Sequence, residues 1–313
     1  MLSVILPAYN EEKMISVAAE IIGNMLSYEG IAFELIFVND GSKDSTWDQI
    51  CETSKQNRHV RGVNFSRNFG KEAAMFAGLE QAAGDCCVVL DCDLQHPPEK
   101  IIEMYRLWEQ GYEVVEGIKE SRGNESALHS FAANTFYKLM SKATGFNMAD
   151  ASDFKLLDRK VVDALNQMQE RNVFFRALSH WAGFRKTEVY YRVQERTVGE
   201  SKWSTRSLIK YALTNITSFS SAPLQMVTFL GCLMLVVTVV LGAISLVQKF
   251  SGVALSGFTT VIVIQLFTGS IVMISLGIIG VYLAKIYDEC KGRPKYIIST
   301  TCGEVCCDSE IVG

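Results

Sequence analysis

The sequence predicts an α/β fold over its first 120 residues, a mostly parallel sheet with helices on both faces, and a membrane hairpin near its end. Three observations predict this. Short apolar, β-rich runs alternate with stretches of helical periodicity up to about residue 120, the pattern of a sheet buried on both sides. Two late runs, Met226 to Val247 and Phe258 to Ala284, contain no Asp, Glu, Lys, Arg or His. Polar and charged residues gather where the early apolar runs end, and open sheets of this class bind ligands at the carboxyl ends of their strands.

Taken in order, strands are expected at Ser3 to Ala8, Phe33 to Asn39, Val60 to Phe65, Cys86 to Asp91 and Glu113 to Gly117. Helices are expected between them, from about Glu12 to Ser27, Ser45 to Lys55, Lys71 to Ala83 and Pro98 to Gln110. The run from Met1 to Ala8 is too short for a signal peptide, lacks its basic region and reads as a strand. The first strand ends in Pro7-Ala8-Tyr9-Asn10-Glu11-Glu12 and the second in Asn39-Asp40-Gly41-Ser42-Lys43-Asp44-Ser45. A carboxylate just past a strand can accept the N–H edge of a base, and Tyr9 can pack on a ring. Asp44 or Ser45 is the natural helix N-cap, Asp44 foremost. After the third strand, Arg67 and Lys71 stand near a helix start, either as a phosphate contact or as a solvated turn.

The fourth strand ends in Leu90-Asp91-Cys92-Asp93-Leu94-Gln95-His96-Pro97-Pro98-Glu99. Asp91 and Asp93 share strand parity, so their oxygens can converge on one hard divalent cation. The alternative is a solvated Asp-x-Asp turn.

The 313 residues carry a net charge of −4, without the basic excess of a non-specific nucleic-acid binder. The 49% hydrophobic content is concentrated in the two late runs. Each exceeds the roughly 20 residues that span a bilayer as a helix; two buried core helices are the alternative. The loop between them, Gln248 to Gly257, holds one cation, Lys249, against Lys202, Arg206 and Lys210 before the hairpin and Lys285, Lys291, Arg293 and Lys295 after it. That bias puts both ends in the cytoplasm. Nine cysteines in a reducing compartment read as free thiols, with Cys86, Cys87 and Cys92 as strand filler and no paired spacing for zinc around Cys302, Cys306 and Cys307. Ser207 to Gln225 has the spacing of an interfacial amphipathic helix, ended by Pro223, and the tail from Ile297 to Gly313 reads as mobile.

No dinucleotide-binding glycine motif, P-loop or nucleophile elbow is present. The ordered series LPAYNEE, VNDGSKDST, SRNFGKEAA, LDCDLQHPPE, DFKLLDR and ERTVGESKW, followed by two apolar runs, resembles the family 2 glycosyltransferases of GT-A fold. Within them it is most similar to polyprenyl-phosphate glycosyltransferases, the bactoprenol (undecaprenyl-phosphate) glucosyltransferases and dolichol-phosphate mannose synthase. The likeness extends to about Tyr287.

The resemblance implies a division into a catalytic domain at 1–206, an interfacial helix at 207–225, membrane helices within 226–287 and a cytoplasmic tail at 288–313. It implies Mg²⁺ or Mn²⁺ on Asp91 and Asp93, with Gln95 contributing and His96 structural. Pro7, Tyr9, Glu11 and Asp40 map to the nucleotide pocket, Asp40 reading the base; Arg67 and Lys71, where they are phosphate contacts, would join the same nucleotide-sugar site. Asp153 faces the reacting sugar carbon, and with Asp93 it is the implied catalytic residue. The family's Gly and Arg around that position are Ser152 and Lys155 here. Arg122, Arg196, Ser201 and Lys202 are the implied phosphate contacts, topology-setting charge being the alternative for Lys202.

The implied reaction is inverting transfer of a hexose, glucose from UDP-glucose foremost, to undecaprenyl phosphate at the inner membrane, by a homo-oligomer, a tetramer among the forms. A phosphate nucleophile is already anionic, so Asp153 need not act as a base. The rivals are a processive synthase, for which a Q-x-x-R-W motif and further spans are missing, a nucleotide-sugar-binding scaffold without turnover, and a flippase.

Overall fold

The computed structural model describes residues 1–119, 152–168, 175–176, 183–192, 222–251 and 258–303. The chain divides into two compact units, Met1–Trp203 with Pro294–Gly313, and Ser204–Arg293.

The first unit is built on one sheet. Its elements are β1 (Leu2–Ala8), α1 (Ile15–Tyr28), β2 (Phe33–Asn39), α2 (Thr46–Gln56), β3 (Val60–Phe65), α3 (Lys71–Gln81), β4 (Cys86–Val89), α4 (Glu99–Glu109), β5 (Val114–Lys119), β6 (Lys155–Asp158), α5 (Arg159–Gln167), β7 (Lys186–Tyr191) and, at the far end of the chain, β8 (Ile298–Cys302). The strand order is β7-β5-β6-β4-β1-β2-β3-β8. The central run β4-β1-β2-β3 is parallel, while β6 and β8 run antiparallel to their neighbours. This is a GT-A-like mixed sheet.

Helices cover both faces because β1 is apolar on both. Leu2, Val4 and Leu6 share a buried cluster with Ile15, Ile22, Ile50 and Met104 of α1, α2 and α4. Ile5 points the other way, onto α3, so closely that a Cβ at Gly78 would come within 2.2 Å of it. The buried carboxylate of Glu34 between strands is satisfied by Ser3 Oγ at 2.6 Å, Arg61 at 2.8 Å and the Ala83 N–H at 2.7 Å, which is what makes a charge tolerable there.

Two expectations change. The fourth strand stops at Val89 rather than Asp91, so Asp91 and Asp93 lie in a turn, closed by the Leu94 N–H donating to Asp91 O at 3.3 Å, and strand parity does not apply to them. The segment from Ile297 is not loose up to Cys302, because β8 pairs with β3 through Asn64↔Thr300 and Phe65↔Ile298. Pro223 belongs to the helix that begins at Ala222. It sits in that helix's first turn, where its missing N–H costs nothing.

The second unit contributes α6 (Ala222–Phe250) and α7 (Phe258–Cys290), which pack on each other. Their apolar windows, Pro223–Ile244 and Ile264–Cys290, have mean hydropathies of 2.6 and 2.1 and no buried share. By length and composition both can cross a membrane. Residues 207–221 of the expected interfacial segment lie outside the described residues.

Candidate active site

The strand ends of β1, β2 and β4 open onto a cleft of about 390 Å³ lined by Pro7, Tyr9, Glu11, Asp40, Lys71, Asp91 and Asp93, with Asn68 and Gly70 among the other lining residues. Its size lies in the range of ligand sites. Tyr9, on the cleft lining, is 43% exposed. Glu11 begins the approach to α1, its N–H donating to Thr46 Oγ1 at 2.9 Å. Asp44 caps α2 from one residue further out than the first-turn boundary, its Oδ1 accepting the Thr46 N–H at 3.1 Å.

Asp40 is buried beneath the cleft and organises the β3–α3 loop. Its carboxylate accepts the N–H of Phe69 at 2.7 Å, the N–H of Gly70 at 3.0 Å and the side-chain amide of Asn68 at 2.9 Å. Burial pushes this carboxyl up and the two backbone donors pull it down. Three donors leave about one of its four acceptor positions for a ligand. Gly41 beside it has φ +62°, and a Cβ there would lie 2.4 Å from the Arg67 carbonyl carbon, so the two loops fit only with glycine.

Lys71 opens α3 and bridges two carboxylates. Its Nζ lies 2.6 Å from Asp91 and 3.0 Å from Asp153. Burial opposes its charge, but Asp91 and Asp153 raise its pKa above the ordinary lysine value. Asp153 is also gripped by Arg176, whose Nε and Nη2 reach its two oxygens at 2.7 and 2.9 Å in a fork. Although burial works against ionisation, Lys71 and Arg176 hold Asp153 far below the usual carboxylate range. It is therefore ionised and weakly basic.

Asp93 Oδ1 accepts the Gln95 N–H at 3.1 Å; the Gln95 side chain is not part of the cleft lining. His96 packs between the rings of Phe154 and Tyr191, with centroids at 5.1 and 5.4 Å, and burial lowers its pKa. Arg67 does not enter the cleft. Its guanidinium covers the Phe69 ring at 4.2 Å. Arg122, Arg196, Ser201 and Lys202 lie outside the described residues. Arg176 was not anticipated; its only local signal is a cation in the aromatic run Phe174-Phe175-Arg176.

The oxygen donors of Asp91 and Asp93 suit a hard divalent cation, and the ammonium resting on Asp91 shows that positive charge is stable there. Among the described residues no third His, Cys, Asp or Glu joins them, so water or ligand phosphate would complete a shell.

Residues 3–165 of the chain, which carry this cleft, match the family model described as Glycosyl transferase family 2. The chain belongs to the family 2 glycosyltransferases. An uncharacterized glycosyltransferase of Bacillus subtilis is 39% identical over 303 residues, covering 96% of this chain and 94% of its own. A prophage bactoprenol glucosyl transferase homolog of Escherichia coli is 36% identical over 299 residues, covering 95% and 98%. Among solved structures, one described as a mycobacterial protein superposes with a TM-score of 0.50 at 19% identity over 69% of this chain and 72% of that one, a likeness of fold. As a family 2 glycosyltransferase the protein is an enzyme of sugar transfer.

Proposed function

We propose that this glycosyltransferase moves glucose from UDP-glucose to undecaprenyl phosphate with inversion, at the cytoplasmic face of the inner membrane. The observation that carries the reading is the meeting of Asp91, Asp93 and Asp153 with Lys71 and Arg176 in and beside one cleft at the strand ends. Relatives named as bactoprenol glucosyl transferases from Shigella phages, 33 to 35% identical over at least 95% of this chain, support the acceptor and the sugar. Two exposed apolar helices support a lipid acceptor.

Asp91 and Asp93 would hold Mg²⁺ or Mn²⁺. When bound, such a cation stabilises charge on a departing diphosphate. The protein's own part is positioning and charge balance. Tyr9 offers its exposed side chain to the base, and Asp40 shapes the loop under it. Lys71 moves from the carboxylates to the donor diphosphate, and Asp153, ionised and fixed by Arg176, lies against the sugar's reacting carbon. Attack by an anionic phosphate oxygen forms the new bond as the nucleoside diphosphate leaves, and no side chain has to take a proton. Homo-oligomers, tetramers included, belong to the same reading.

Transfer of radiolabel from UDP- and GDP-sugars into organic-extractable undecaprenyl phosphate tests it. Label is expected from UDP-glucose, abolished by chelator and by Asp93→Ala. A nucleotide that binds without any lipid labelling would remove the lipid acceptor and favour the non-catalytic binder.

A further inference from the structure

The segment that follows α7 pairs along β3, whose following loop supplies Asn68 and Gly70 to the donor cleft. β8 adds to the free edge of β3, with a register irregularity between Asn64 and Phe65. Just before it, Ile297 O accepts the N–H of Ser66, the first residue of the β3–α3 loop, at 3.0 Å. Tyr296 stacks on Phe65 with centroids 5.0 Å apart and planes 14° apart, and Phe65 meets Phe69 edge-on at 5.7 Å. The Tyr296 hydroxyl donates to Glu80 on α3. Lys295 Nζ donates to Met168 O at 2.6 Å and lies 5.0 Å from the Phe76 ring.

Phe69 is where this chain of contacts reaches the cleft. Its ring closes the aromatic row, and its N–H is one of the donors that fix Asp40. Gly70, the next residue, gives Asp40 another N–H and immediately precedes Lys71. The five-residue loop Ser66 to Gly70 is thus tied at one end to Ile297, 231 positions later, and at the other to the cleft. An exposed loop of this length would otherwise bear its own ordering cost each time a ligand bound.

We infer that residues 295–302 are a positioning strap for the donor cleft, with Tyr296 as its decisive side chain. The strap holds the β3–α3 loop in the conformation that presents Asp40, Asn68, Gly70 and Lys71 to the donor. Its Tyr296 touches no ligand and acts through Phe65 and Phe69. This role rests on the reading of the cleft as a nucleotide-sugar site. It makes donor binding depend on a segment encoded after the apolar helices, although the cleft lining comes from residues 7–93.

The experiment compares the full-length wild type with Tyr296→Leu, which keeps apolar bulk but no ring, and Tyr296→Phe, which keeps the ring but no hydroxyl. Two quantities are read on protein whose thermal melt shows it folded: amide hydrogen exchange at Ser66, Phe69 and Gly70 without nucleotide, and the Kd for UDP. Tyr296→Leu is expected to speed exchange at those three amides and to raise the Kd about fivefold, the scale of one lost aromatic pair. Tyr296→Phe is expected to stay within about twofold of wild type, since the stack survives. The limiting rate at saturating donor should change less than the Kd.

Unchanged exchange and Kd in Tyr296→Leu would overturn the strap. Equal losses in Tyr296→Phe would overturn the ring stack as its working part. A melting shift alone, with UDP binding intact, would reduce β8 to a purely structural strand. Wild type that binds no UDP would instead sink the donor reading. That case is recognisable because the exchange comparison uses no nucleotide.

Discussion

Lys71 ties together two carboxylates that would otherwise repel across the cleft, and this decides what its loss does. Lys71→Met leaves Asp91 without its ammonium and Asp153 with Arg176 alone. Transfer is expected to fall by about 10² or more, the scale of losing one preorganised charged contact, with kcat and UDP affinity measured separately. Asp153 bears on the pH profile. Because Lys71 and Arg176 keep it ionised far below neutrality, its titration cannot produce an acid limb between pH 5 and 8. A limb there that Asp153→Asn abolishes would restore it as a general base.

Its neighbour Glu72 has the opposite shift. Burial, then repulsion by Asp153, raises this carboxyl from the ordinary 4.5 to about 7, against the Phe175 N–H that it accepts. In that window the folded protein keeps a proton the unfolded chain has released. The contribution to stability is therefore full below pH 4.5 and lost as pH rises through 7. Glu72→Gln retains an acceptor and should gain denaturant midpoint over wild type on going from pH 5 to pH 8; a constant difference would refute the assignment.

At the scale of elements, β1 to β5 and α1 to α4 were legible because their signals are local: apolar runs of strand length, turn residues after them, and helical spacing between. β6 was hidden by its own composition. Lys155 reads as exposed, but it is wholly buried and its Nζ lies 3.0 Å from Glu116 on β5. That pair also explains why Lys at the family's Arg position contributes no cation to the cleft. In the same motif, Asp158 caps α5 through the Lys160 N–H at 2.9 Å, and Arg159 binds the carbonyls of Ala82 and Gly84, so DFKLLDR is half site and half scaffold. Asp40, Lys71 and Asp91 were legible just after the strands and Asp153 only through the family motif, whereas Arg176 reaches Asp153 through tertiary packing that no spacing encodes. Lys155→Met should cost about 3–5 kcal/mol, because it takes the cation from a buried carboxylate that keeps the Ser152 N–H at 3.2 Å. Lys155→Met with Glu116→Leu should recover much of it. Equal unfolding free energies for the single and double variants would show that the pair is not coupled.

At the scale of the whole molecule, the sheet constrains how the chain can meet a bilayer. β3 precedes both apolar helices and β8 follows them, yet the two strands pair in one sheet. Residues 65 and 298 must therefore lie on the same side of any membrane crossed between them, which requires an even number of crossings. α6 and α7, with 29 and 33 residues, are each longer than the roughly 20 needed, so two crossings satisfy the sheet. The proposed function puts the sheet in the cytoplasm, and the cations flanking the hairpin, which outnumber the single Lys249 in its loop, accord with that. In a cysteine-free background, Ser251→Cys should react with an impermeant maleimide added to intact cells, while Lys43→Cys should react only after permeabilisation. Reversal of the two would put the cleft on the side without nucleotide sugars and overturn the proposed donor. Labelling of neither in intact cells, with extraction by alkaline carbonate, would mean that the helices do not cross at all.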